Sequence, residues 1–175
     1  MKDSLRILGI DPGTARCGWG VIDISQRDGA LSWIAHGCIE TDKLKKDSER
    51  LNRVFNDTMS LIDKFKPDQV AVELLFIFHN QKTAMKIAEA RGVILLACAK
   101  KGLALQTFEY TPLAVKMAVT GYGRSEKKEV LIEVDKALRP ARNIGRGRKE
   151  GFDDAADALA VAMAHYHKYV EEGIK

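Results

Sequence analysis

The amino-acid sequence predicts an α/β fold: a five-stranded mixed sheet, built from a three-strand antiparallel meander plus two parallel strands, flanked by helices. Two patterns lead to it. Three strand-length apolar segments precede the first helical one, and strands and helices then alternate in the order βββαβαβα, with extra helical turns before the final helix. A strand reached through a helix returns parallel, so the first strand is expected at the centre, paired with the fourth. Length agrees, since 175 residues, 46% of them apolar, can bury a full core in one domain spanning 1–175. The last few residues are expected to form a frayed tail.

Each element has its own signal. Leu5 to Asp11 (LRILGID) is rich in leucine and isoleucine, ends on an acid and is stopped by Pro12-Gly13, which reads as a buried strand. Cys17 to Ile24 and Leu31 to Glu40 are further strands, with a hairpin signal at Asp28-Gly29 between them. In a helix of about 18 residues, Leu51, Val54, Phe55, Thr58, Leu61, Ile62 and Phe65 recur at helical spacing, and Pro67 enforces the stop. Val70-Ala71-Val72 is a short apolar strand that ends on Glu73. A second helix, from about Asn80 to Lys101, closes at Gly102 as a C-terminal cap, and Leu103 to Tyr110 forms the fifth strand. Thr111 caps a helix with Pro112 at its first position. Ser125 caps another, which carries Val130, Leu131, Val134 and Leu138 and ends at Pro140. The last helix runs from about Phe152 to Tyr169.

Composition excludes several classes. Only 4 Pro and 14 Gly speak against a fibrous or disordered chain. The longest apolar-rich run, around Gly92 to Ala99, falls far short of the roughly 20 residues a bilayer needs. Met1 to Leu8 leads straight into a strand pattern without a signal peptide. Cys17, Cys38 and Cys98 lack CxxC spacing, which argues against disulfides and thiolate zinc and for a reduced, cytoplasmic setting. Cys17 and Cys38 read as small core residues, as do Trp19 and Trp33. His165 and His167 stand two apart on a helix, so they cannot both face one cluster, and each reads as structural or surface.

The net charge of +4 is unevenly spread. Residues 139–149, RPARNIGRGRK, hold five basic residues and no acidic one. Carboxylates gather elsewhere: Asp11 and Glu73 each close an apolar strand, and parallel neighbours would bring both to the same sheet edge. In GFDDAADALAVAMAHYH, at 100° per residue, Asp157 lies about 40° from Asp153 and about 60° from Asp154, so all three share one helix face. Acids at a helix start also cap it, but Asp157, a turn inside, is the one that capping explains least. Packing such acids together is costly unless a cation neutralises them, and oxygen-rich clusters suit Mg²⁺ or Mn²⁺. A basic surface around an acidic cleft therefore points to metal-dependent phosphoryl chemistry on a polyanion.

Four segments, LGIDPGTARCGWGVI, VAVELLFIFHNQKTAMKIAEARGV, VKMAVTGYGRSEKKEV and DAADALAVAMAHYH, taken in order and at this length, resemble the RuvC family of crossover (Holliday) junction endodeoxyribonucleases, in the ribonuclease H-like superfamily. The resemblance covers nearly the whole chain. It implies a homodimer that nicks two strands of a four-way DNA junction symmetrically during recombination and repair, leaving 5′-phosphates. It also implies two Mg²⁺ or Mn²⁺ ions per active site, and as partner a junction-binding and branch-migration motor complex. The resemblance places the catalytic, metal-ligating acids at Asp11, Glu73, Asp154 and Asp157, with Asp153 as an extra acid. Phe76 would contact the opened junction by stacking on an unpaired base, and Lys116 and Lys127 would meet phosphates near the cut. The segment after Glu73 is more hydrophobic than the family's pattern. The loop from Arg139 to Gly151 is longer and more basic, which makes Arg146 and Arg148 candidate phosphate contacts with a corresponding salt dependence. The second helix, with Ala84, Ile87, Ala88, Arg91 and Leu95, is the candidate dimer contact.

Rival readings fit less well. An actin-like ATPase or sugar kinase also carries Asp-x-Gly-Thr after a strand, but needs two such domains and a second phosphate loop. A junction-binding module without catalysis would have no use for the full set of acids. A related nuclease of the superfamily acting on ribosomal RNA would keep the acids but not the full-length motif match.

Overall fold

The computed structural model describes residues 3–74, 81–138 and 152–171. The chain forms β1 (Ser4–Asp11), β2 (Arg16–Ser25), β3 (Leu31–Glu40), α1 (Asp47–Phe65), β4 (Gln69–Glu73), α2 (Gln81–Lys100), β5 (Thr107–Tyr110), α3 (Pro112–Thr120), α4 (Lys127–Leu138) and α5 (Phe152–Glu171). The five strands lie in the order β3-β2-β1-β4-β5. β1 pairs antiparallel with β2 and parallel with β4, and β4 is parallel to β5. The expected fold class is therefore the observed one.

β1 reads as continuously apolar because both its faces are covered. Ile7 packs with Ile22, Ala71 and the α3, α4 and α5 side chains, whereas Leu8 and Ile10 pack with Val70, Val72 and residues of α1 and α2. Each such fully buried Leu or Ile contributes about 2 kcal/mol relative to exposure. Strand alternation then decides where polar residues emerge. Ile7, Gly9 and Asp11 share the α5 face of β1, and Ala71 and Glu73 share that face of β4.

Helix α5 can lie against the sheet because three glycines leave room for it. Gly9 pairs with Gly20, and Gly18 with Asp11, across the β1–β2 ladder. A Cβ at Gly18 would collide with the Asp154 carbonyl, one at Gly9 with the Ala158 carbonyl, and one at Gly20 with the Leu159 side chain. On the helix side, Ala155, Ala158 and Ala162 are at most 1% exposed. This small-on-small seam presses the first turns of α5 onto the end of β1.

Several boundaries differ from those the sequence predicts. Residues Ala104–Gln106 form a 3₁₀ turn, so the fifth strand begins at Thr107 rather than Leu103. Gly102 takes φ +77° and the Leu103 N–H returns to the Cys98 carbonyl, so the cap of α2 uses these residues before the chain reaches the sheet. Ser125 does not start α4 as expected. Its hydroxyl lies 2.8 Å from Thr120 Oγ1, while Glu129 accepts the Glu126 N–H at 2.7 Å and closes the helix start. β2 begins one residue early, at Arg16, which matters for the site below. Thr111 caps α3 as predicted, accepting from the Ala114 N–H at 3.1 Å. Cys17 is fully buried, but Cys38 is half-exposed, and Trp19 and Trp33 only flank the core.

Candidate active site

Asp11 and Glu73 are the last residues of β1 and β4, and the register Ile10↔Val72 continues to set them side by side. Each carboxyl group perturbs the ionisation of the other. Burial first, and then the neighbouring Glu73, Asp157 and Asp154, push the Asp11 carboxyl well above the usual carboxylate range. Burial also raises Glu73, against the pull of Lys127 and Lys116. Two carboxylates held together out of water cannot both ionise cheaply, so the pair titrates as a unit.

The start of α5 brings the other two acids. Asp157 Oδ2 accepts from Lys127 Nζ at 2.7 Å, and burial raises this carboxyl too. Asp154 Oδ2 accepts from Arg16 Nε at 2.7 Å, and Arg16 reaches Glu40 at 3.7 Å as well. Asp153, which shares their helix face, is solvent-exposed. A pocket of about 230 Å³ opens beside the cluster, lined by Glu73, Pro112, Val115, Lys116, Lys127 and Asp157 among others.

Thus the structure gathers Asp11, Glu73, Asp154, Asp157, Lys116 and Lys127 at one sheet edge. Phe76, Arg146 and Arg148 lie outside the described residues. Arg16 is the residue that sequence reasoning missed. Its signal was present in the strand alternation of Arg16, Gly18 and Gly20 on one face, but only the packing of α5 on that face shows what Arg16 meets. Of the α2 residues expected at a dimer contact, Ala88 is exposed, while others are engaged within the chain. Ala84 is buried in the chain's own core, Leu95 packs toward α1, and Arg91 pairs with Glu109. The outward face carries Met85, Ala88, Gly92, Leu96 and Ala99.

The donors are all oxygens, which suits a hard divalent cation. Among the described residues no three carboxylate, imidazole or thiolate groups converge as a ready-made metal site. Lys127 and Arg16 offset part of the negative charge of the four acids, and a divalent ion would offset more of it.

A family model described as crossover junction endodeoxyribonuclease RuvC matches residues 7–165. The chain belongs to the RuvC family. The RuvC of Caldicellulosiruptor saccharolyticus is 44% identical over 161 residues, which cover 92% of each chain. The Thermus thermophilus RuvC structure superposes with a TM-score of 0.82 at 28% identity, covering 97% of both chains. The same RuvC in complex with Holliday junction substrate gives 0.83, covering 97% of this chain and 96% of that one. The sheet order of this chain is therefore that of a RuvC fold, and its four acids stand at the carboxyl edge of that sheet.

Proposed function

We propose that this chain is a structure-specific endonuclease that resolves four-way DNA junctions by symmetric phosphodiester hydrolysis in recombination and repair. The observation that carries this is the meeting of Asp11, Glu73, Asp154 and Asp157 at one sheet edge in a chain of the RuvC family. In this reading the four acids hold two Mg²⁺ or Mn²⁺ ions. Such ions supply positive charge against the phosphodiester transition state and ease ionisation of the attacking water. Lys116 and Lys127 offset the charge of the bound phosphate, and Arg16 holds Asp154 in place. The products would carry 5′-phosphates, with Phe76, Arg146 and Arg148 as further DNA contacts.

A homodimer fits the approximate two-fold symmetry of such a junction. Its proposed interface is the outward face of α2, where Met85 is 65% and Leu96 50% exposed. Gly92 sits mid-helix on that face, and a Cβ there would meet nothing within 4 Å. A mid-helix glycine costs about 1 kcal/mol relative to alanine, and close approach of a second α2 would account for it. A branch-migration motor complex is the proposed further partner, and the cytoplasm the proposed location. Among the described residues no helix is long and apolar enough to cross a membrane.

The test is cleavage of end-labelled synthetic four-way junctions with Mg²⁺, beside linear duplex and an EDTA control. Paired nicks at symmetric positions, in the junction alone and with metal alone, are expected. Equal cutting of duplex or RNA would move the activity to another nuclease of the ribonuclease H-like superfamily. Binding without nicking would leave a junction-binding module.

A further inference from the structure

Beside the acidic pocket the surface changes character. Leu113 and Met117 stand one turn apart on α3 and are 62% and 52% exposed, and Tyr122, in the loop after α3, is 59% exposed. Among the described residues Tyr122 is the one aromatic side chain that is largely exposed. Large apolar groups gathered in this way mark a contact surface more often than scattered exposed residues do.

The loop ties down the backbone of Tyr122 while leaving the residue 59% exposed. Gly121 ends α3 at φ +76°, with its N–H on the Met117 carbonyl. The Tyr122 N–H reaches Thr120 Oγ1 at 3.2 Å, and its carbonyl accepts from Thr120 Oγ1 at 3.1 Å and from the Ser125 N–H at 3.1 Å. Gly123 is buried, and a Cβ there would lie 2.9 Å from Leu113 Cδ1, so a side chain would have to push the leucine aside. The backbone on both sides of the tyrosine is thus held by local hydrogen bonds.

The surroundings are cationic. Lys116 precedes Met117 and lines the acidic pocket with Pro112 and Val115. Arg124 and Lys128, which follow the tyrosine in the chain, are exposed. The acids of the stretch are Glu126 and Glu129, and the Glu129 carboxylate is taken up by the Glu126 N–H. An exposed aromatic ring flanked in the chain by cations, in the loop after a helix that lines the acidic pocket, is a pattern that suits unstacked bases rather than a closed duplex.

We propose that Tyr122, in the loop after α3, stacks on an unpaired base of the junction strand next to the scissile phosphate. The inference rests on the junction-cleaving reading above. It adds a single-strand contact on α3 and its loop, separate from the segment after Glu73. Tyr122 thereby favours opened junctions over continuous duplex, and its hydroxyl is not needed for stacking.

The experiment measures binding of the full chain, in EDTA, to a synthetic four-way junction carrying 2-aminopurine at successive central positions, and to a linear duplex of the same sequence. Y122A is expected to weaken junction binding about tenfold and to abolish quenching at one 2-aminopurine position, with duplex binding unchanged and the circular dichroism of the wild type. Y122F is expected to bind and quench like the wild type. Y122A that binds and quenches like the wild type overturns the proposal and leaves the patch to a protein partner. Equal weakening on junction and duplex overturns it too, because stacking on an unpaired base predicts a difference. If the wild type itself binds junction and duplex alike, the junction-cleaving reading has failed; if only Y122A is indistinguishable from it, only the stacking contact has.

Discussion

Asp11 carries the greatest electrostatic tension among the described side chains of the site. It is packed against Glu73, with Asp157 and Asp154 near, and its carboxyl is raised accordingly. Replacing it with asparagine relieves that repulsion without changing shape. Asp11→Asn is therefore expected to lower junction cleavage about a thousandfold or more while leaving junction affinity nearly intact and the melting temperature no lower. Equal loss of cleavage and affinity would sink the assignment of the acids. A second titrating residue acts on stability alone. His165 is 1% exposed, Tyr110 Oη lies 2.6 Å from Nδ1, and Gln69 Oε1 lies 2.8 Å from Nε2. Burial lowers its pKa from 6.5 to about 4, so the folded chain keeps it neutral while the unfolded chain protonates it. Its contribution is fully present above pH 6.5 and falls by on the order of 3 kcal/mol as pH drops toward 4. Urea melts between pH 7.5 and 4.5 should show a steeper decline for the wild type than for His165→Gln. Parallel slopes would refute it.

At the scale of elements, the seam of α5 on β1 and β2 is what places Asp154 and Asp157. Gly18→Ala drives a methyl into the Asp154 backbone, and is expected to cost about 3 kcal/mol by overpacking. Because that collision lies under the acids themselves, cleavage should fall further than stability does at temperatures where the variant remains folded. Urea denaturation and junction cleavage on the same preparation check this; full activity in a destabilised variant would show that the seam only stabilises. The ion pairs Arg16–Asp154 and Lys127–Asp157 are half-exposed and contribute little to folding on their own. Their effect is local, since each fixes the direction of one carboxylate.

For the molecule as a whole, the proposed dimer sets two cuts on one junction. Leu96→Glu places a charge on the exposed face of α2 without touching the core. It is expected to yield a monomer by analytical ultracentrifugation and to replace paired nicks with single, uncoordinated ones. A variant that remains dimeric and nicks symmetrically would relocate the interface. Cleavage by the wild type should also weaken steeply with added salt, as binding by phosphate contacts requires.

The sheet and its edge were legible in the chain because strand-length apolar runs, abrupt acidic ends and helical spacing are local properties. Asp11 after Ile10 and Glu73 after Val72 needed only that pattern and parallel pairing. Helical geometry alone put Asp153, Asp154 and Asp157 on one face, and the family motif selected two of them. What local patterns could not supply was contact across elements. Arg16 acquires its role only because Gly9, Gly18 and Gly20 let α5 sink onto the sheet. Of the α2 residues expected at a dimer contact, Ala84 turned inward, because the weak periodicity of that helix gives little direction. The exposure of Tyr122 depends on which side of α3 its loop folds toward. A sequence determines which residues can pair and turn; only packing decides which side chains meet and which are left facing solvent.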